Sequence, residues 1–372
     1  MSRRFVILGN PENRRVTLFQ AALTRQQLPS AQVVSWLQFL SEGAPGFGSG
    51  SALVRVDSFG ENFEVQRRLL ERGGVPGART LEERHGEVFE PARAHEGFRA
   101  ALRHLEGLFA EQPQWDVLNV PSEIDELFDK RRTSRRYRDA GIPVPEAIDD
   151  VSLDPSALLD ACRERGWDEA YVKLSSGSSA SCLAHVEFGK SGVLVRTSLE
   201  WDAPRWFNNL KVRHLRRAAE IDRALGFILS QGAHVEQGIA KARLGDAFFD
   251  LRVLCIAHEP RFIVVRQNVL PITNLHLGGF RGELSALKEK VDAEAWGAAM
   301  ETCRKVARLY RSLHVGIDLM FEADFRSHRV LEANAFGDLL PNLSVDGLDV
   351  WEWQIREALR HAETGRWLRG SS

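Results

Sequence analysis

The chain has 372 residues, 44% of them apolar and 27% charged, with a formal net charge of −2. That length buries a large core, divided over two or three domains. The charge balance excludes a global field for gathering polyanions, and no apolar run is long enough to cross a bilayer.

In chain order, "RFVILGN" is an apolar stretch bounded by turn residues and predicts a first strand. It ends at Gly9-Asn10-Pro11, too soon for a signal sequence. "TLFQAALTRQQL" has helical spacing. "AQVVSWL" and "ALVRVDS" predict further strands, "ENFEVQRRLLERG" a helix ending at Gly73, and "WDVLNVP" another strand. Strands alternating with helices predict a parallel α/β domain over 1–120. No GxGxxG follows the first strand, so dinucleotide binding is not expected. Residues 41–51, "SEGAPGFGSGS", read as a flexible loop.

"PSEIDELFDKRRTSRRYRDAG" predicts one helix stopped by Gly141, with Pro143 and Pro145 shaping the exit. A second unit, 121–232, carries the helix "DPSALLDACRERG", the strand "AYVKL", a Ser/Gly loop, and an antiparallel pair, "CLAHVEF" and "GVLVRTSL". A third, 233–372, carries "AHVEQGI", "FFDLRVLCI", "RFIVVRQNVL", a helix over 292–313, "GIDLMFE" and "RVLEANAF". Cys162, Cys182, Cys255 and Cys303 are scattered without a CxxC pair, which suits buried thiols in a reducing cytoplasm.

Three patterns carry chemistry. "GIDLMFEADFRSHRVLEANAF" reads as a hairpin turning near Phe325. Asp318 then lies opposite Glu332, with Asn334 further along the same face. Two opposed carboxylates repel unless a cation lies between them, and an all-oxygen donor set favours Mg²⁺. The alternative is a surface hairpin with its polar face in water. In "FFDLRVLCIAHEPRFIVVRQNVL", a turn centred on Glu259 sets Arg252 opposite Arg266, a pairing that asks for an anion between them. A register slipped by one would instead send each to an acid such as Asp250. In "YVKLSSGSSASC", Lys173 precedes small residues whose backbone N–H groups can approach phosphate oxygens. It is not a Walker A loop, and an exposed loop beside a lysine is the plain alternative.

The order of the pieces resembles the ATP-grasp superfamily, nearest its RimK-like carboxylate–amine ligases and an uncharacterised bacterial branch. Lys130, "GIPVP", Lys173 with its loop, "HVEQGI", "FDLRV", "VVRQNVLPITNLHLGG", "GIDL" and "LEANAF" follow one another across 115–345. The resemblance implies an α/β (α+β) architecture: a Rossmann-like pre-ATP-grasp domain, then two α+β subdomains gripping ATP. It implies that Lys130 and Lys173 contact phosphates or adenine. The loop 175–181, with Ser175, Ser176, Gly177 and Ser178, would close over the triphosphate. Glu236, Gln237 and the backbone through Ile239 would meet the adenine edge. Arg252, Arg266 and Asn274 would surround the γ-phosphate, and Asp318, Glu332 and Asn334 would hold Mg²⁺, or Mn²⁺ in its place. Two departures stand out: Gly238 replaces the usual hinge aromatic, and the loop has a single glycine.

The implied reaction activates a carboxylate as an acyl phosphate and joins it to an amine, on small-molecule or peptide substrates. A non-catalytic, ATP-sensing regulatory or scaffold protein is the alternative. Related folds pair up, so a homodimer is an open expectation. The basic run "KRRTSRRYR", 130–138, is a solvated helix face or a nucleic-acid contact, and the net charge favours the first. Arg55 and Asp57, with Ser58, fall at the C-terminal end of a parallel strand, where ligands bind. They are a substrate contact or a local ion pair. His276 in "NLHLGG" is a site residue or a loop histidine.

Overall fold

The computed structural model describes residues 4–364 apart from 44–45, 61, 150–153, 178–180, 191, 274, 276–277 and 338–341. Ser178, Asn274 and His276 therefore lie outside the described residues.

The first layer alternates strands and helices: β1 (Arg4–Leu8), α1 (Arg14–Arg25), β2 (Gln32–Val34), α2 (Trp36–Glu42), β3 (Ala52–Val56), α3 (Phe63–Arg72), α4 (Pro91–Ala110) and β4 (Trp115–Val117). The strands form a parallel sheet in the order β2-β1-β3-β4. β1 and β3 are almost wholly buried, as apolar strands covered on both faces must be. "AQVVSWL" is a strand only to Val34. Ser35 then accepts a hydrogen bond from the Gln38 N–H and starts α2, which runs into the expected loop as far as Glu42.

The expected single helix over "PSEIDELFDKRRTSRRYRDAG" is two, α5 (Pro121–Leu127) and α6 (Lys130–Asp139). Asp129 ends the first and caps the second, accepting from the N–H groups of Arg131 and Arg132. The basic face of α6 is paired with acids: Arg132 with Asp125 at 2.9 Å, Arg136 with Glu126 at 2.7 Å and Arg138 with Asp149 at 3.1 Å.

Next come β5 (Ala147–Ile148), α7 (Pro155–Glu164), β6 (Glu169–Leu174), β7 (Leu183–Gly189), β8 (Gly192–Asp202), β9 (Arg205–Leu215), α8 (Ala218–Ser230) and β10 (Ala233–Gln237). They build a sheet in the order β5-β10-β6-β7-β8-β9, so this sheet draws a strand from beyond residue 232. α7 and α8 cover one face through Leu158, Cys162, Ile221, Leu225 and Ile228. The other face is left to the cavity described below.

The third layer holds β11 (Arg243–Leu244), β12 (Ala247–Ile256), β13 (Glu259–Asn268), β14 (Phe280–Gly282), α9 (Leu284–Lys288), α10 (Ala293–Arg308), β15 (His314–Phe321), β16 (His328–Asn334) and α11 (Val350–Thr364). Its strand order is β14-β13-β12-β15-β16, with β11 paired to β12. α10 ends at Arg308, short of the expected 313. The first and third sheets share a hydrophobic core, in which Phe98, Leu105 and Ile124 join Leu251, Ile317 and Phe336. All four cysteines are free and buried, and burial pushes each thiol pKa up. No described helix is long and apolar enough to cross a membrane.

Candidate functional site

The β15–β16 hairpin turns at Asp324 to Ser327, with Phe325 in the left-handed region. Asp318 pairs with Glu332, and a bulge at Leu331 follows immediately. Asn334 lies opposite Gly316, on the Asp318 face. Glu332 and Asn334 are half-buried, and Asp318 is buried. All three line a cavity of about 710 Å³ between the second and third sheets.

The expected Arg252–Arg266 register is corrected. Arg266 lies opposite Asp250, and Arg252 opposite Val264. The loop is the two-residue Ala257-His258, both with positive φ, which shifts the register by three residues, and a bulge near Cys255 takes one of them back. The discrepancy is two residues, so both guanidinium groups keep one face. The anion between them comes from the protein itself. Arg252 Nε lies 2.8 Å from one Asp318 oxygen, and Arg266 Nη2 lies 3.0 Å from the other. Arg266 Nε also reaches Asp250 at 2.6 Å.

Sequence reasoning missed Lys241 and Thr273, and it named Asp250 only as an alternative partner for an arginine. Thr273 donates to Asp250, and Lys241 Nζ sits 3.7 Å from Asp250 and 3.0 Å from the Pro271 carbonyl. Burial lowers the Lys241 pKa, against the pull of Asp250. Asp250 does pair with Arg266, as that alternative allowed, but through a shift of two residues instead of one. The other two are brought in only by the folded chain.

The second sheet supplies the facing wall. Lys173 Nζ lies 2.7 Å from Glu236 Oε1, and His234 Nε2 lies 2.9 Å from Glu236 Oε2. Burial would raise the Glu236 pKa, but Lys173 and His234 hold it at about 2. Lys130 donates to the Gly177 carbonyl and sits 3.4 Å from Glu332. Burial works against ionised Glu332 too, yet Lys130 and Lys173 hold its pKa well below the ordinary range. Burial pushes the Asp318 pKa up, against Arg252 and Arg266.

Gly177 lines this cavity, whereas Ser176 lines a smaller neighbour. Ser175 is buried and donates to Asp129, so its hydroxyl is committed to the start of α6. Gln237 and Ile239 line the main cavity. The Gln237 and Gly238 N–H groups donate to the Glu146 and Glu169 carbonyls, each at 2.8 Å. Among the described residues, the Ile239 N–H has no backbone partner. A Cβ on Gly238 would lie 2.4 Å from the Glu169 Cβ, which explains why no aromatic side chain stands there. Tyr171 lines the cavity nearby, its ring stacked on His185 at 4.7 Å. Pro145, Leu183, Met320 and Leu331 add apolar wall.

Arg55 and Asp57 do not line the cavity. They form a buried pair at 3.1 Å, each at most 2% exposed, and Arg55 also donates to Gln354 of α11. Their neighbour Ser58 does line it, as do Asn13, Arg14 and Arg15 at the start of α1.

No protein-family profile and no curated protein sequence matches the chain. Solved structures do. The ATP-grasp ligase PsnB complexed with a minimal precursor is 16% identical at a TM-score of 0.54, over 97% of this chain and 99% of that one. D-cycloserine synthetase DcsG is 15% identical at 0.55, over 97% and 99%. The macrocyclase MdnC, bound with precursor peptide MdnA from Microcystis aeruginosa MRC, is 11% identical at 0.56, over 96% and 100%. The chain has the ATP-grasp fold. In this ATP-grasp chain the cavity between the second and third sheets gathers Lys130, Lys173, Arg252, Arg266, Asp318, Glu332 and Asn334.

Proposed function

We propose that the chain is an ATP-dependent ligase that activates a carboxylate as an acyl phosphate and joins it to an amine, in the manner of the RimK-like branch. The observation that carries this reading is the single cavity in which two lysines face two arginines, two carboxylates and a carboxamide. A cleft that gathers this much fixed charge of both signs suits a polyanion arriving with a cation.

Asp318, Glu332 and Asn334 offer oxygen donors from one strand face, and Lys130 and Lys173 keep Glu332 ionised. That set fits Mg²⁺ or Mn²⁺, and these residues would hold it. When bound, such an ion neutralises charge on the γ-phosphate. Lys130 and Lys173 would bind phosphate oxygens, and the Ile239 N–H would donate to the adenine edge. Arg252 and Arg266 would offset charge as a substrate carboxylate oxygen bonds to the γ-phosphorus and the bond to ADP breaks. The amine nitrogen then bonds to the acyl carbon, inorganic phosphate leaves, and the nitrogen releases a proton. The chain's residues position groups and balance charge throughout.

The test is ADP release by the purified protein with Mg·ATP against pooled acids, amino acids and peptides. ADP release that needs both an acid and an amine supports ligation. Tight Mg·ATP binding without release across the panel favours the ATP-sensing alternative.

A further inference from the structure

We infer that the acid activated here is an aromatic or bulky apolar carboxylic acid, its carboxylate toward Arg14 and its body in a side pocket walled by Phe59, Phe98, Phe128 and His95. The inference rests on the ligase reading and adds the class of acid.

The side pocket has a volume of about 300 Å³. Its rings form one continuous wall: Phe59 and Phe98 are 4.4 Å apart, Phe98 and Phe128 5.1 Å, and His95 stacks on Phe128 at 6.5 Å. It adjoins the main cavity, since Phe59, Phe128, Leu174, Gly177 and Ser181 line both. An apolar cavity of about 150 Å³ is enough for benzene. This one holds a phenyl ring with a short linker.

The charges in the pocket call for an uncharged occupant. Glu87 is already met by Arg205 at 3.3 Å and Arg84 at 3.6 Å. Burial lowers the His95 pKa, more than Asp125 raises it, so the imidazole is neutral near pH 7. An apolar group gains there by leaving water, whereas a charged one would be desolvated without a counter-ion.

The main cavity beside it has the opposite character. Arg14 lines it and has no acid partner among the described residues. Arg15 donates to the Phe336 carbonyl at 2.9 Å, which ties the start of α1 to the chain just beyond Asn334. Arg14 therefore stands at the Asn334 end of the cavity. That end also lies at the C-terminal edge of β1 and β3, neighbours whose connections leave in opposite directions along the sheet. Open parallel sheets bind ligands at such a switch point.

The test is calorimetric titration with 3-phenylpropanoate and with acetate, each in the presence of Mg²⁺ and a non-hydrolysable ATP analogue. Wild type should bind 3-phenylpropanoate at least tenfold more tightly than acetate. Ala94→Trp and, separately, Gln66→Trp fill the pocket from half-buried helix positions. Each should erase that preference and leave nucleotide affinity unchanged. Arg14→Ala should weaken both acids. Equal binding of the two acids, no binding of 3-phenylpropanoate, or a preference untouched by both tryptophans overturns the inference. Nucleotide affinity is read in the same titrations, and a failure of the ligase reading shows separately, as absent ADP release when ATP and an amine replace the analogue.

Discussion

Lys173 and Glu236, on adjacent strands of the second sheet, form a buried ion pair with 2.7 Å between Nζ and Oε1. Lys173→Met would strand a buried carboxylate. Breaking such a pair costs about 3–5 kcal/mol. The double variant Lys173→Met/Glu236→Gln should recover much of that loss. Urea unfolding of the two proteins checks it, and equal stabilities would show that the pair is not coupled.

The same pair sets an acid limit. The Glu236 pKa falls from an ordinary 4.5 to about 2 on folding. A lowered carboxylate pKa contributes stability that is fully present above the unfolded value and fades as pH falls toward the folded one. Wild type should therefore lose roughly 3 kcal/mol from this group between about pH 4.5 and pH 2. Glu236→Gln should show a flatter profile over that window when unfolding is followed by circular dichroism.

Glu332→Gln should weaken Mg²⁺-dependent nucleotide binding by about tenfold or more, a typical cost of disturbing a metal site. Binding of the nucleotide without Mg²⁺ should change far less. Titrations with and without the ion decide this, and equal losses in both would remove Glu332 from the metal site.

Gly238→Ala should destabilise the protein by about 1–3 kcal/mol, because the added methyl meets the Glu169 Cβ at 2.4 Å. Displacing the hinge should also weaken adenine nucleotides more than inorganic triphosphate. A melting temperature equal to wild type would show that the strands separate freely there.

Thiol titration offers a quick check on the fold. Native protein should react slowly with a thiol reagent at neutral pH, since every cysteine is buried with a raised pKa. In denaturant all four should react at once.

The Asp318–Glu332 pairing was legible because the bulge at Leu331, between the turn and the pair, brings the register to that of a turn centred on Phe325. The Arg252–Arg266 pairing was not. Ala257-His258 turns the chain with positive φ at both positions, where Asn-Gly would have announced a turn. α4 was readable in principle, since Phe98, Ala101, Leu102, Leu105 and Phe109 recur at helical spacing. One of its two glycines, Gly97, lets the α4 backbone approach Leu69 of α3, where a Cβ would meet the carbonyl oxygen at 1.9 Å. Arg55 and Asp57 sat where ligands bind in such sheets, yet only the packing of α11 reveals that they are sealed off. Lys241 and Thr273 lie just outside the strands, before β11 and after β13, where no periodic pattern points them toward Asp250.

Arg252 and Arg266 grip Asp318 while Lys130 leans on Glu332. The resting protein thus acts as its own counter-ion. An anion that approaches these three cations gains little, because each must first let go of an acid. A guest that brings both signs of charge swaps partners instead of severing them, so these three contacts cost a cation-escorted anion less to open than they cost a bare one.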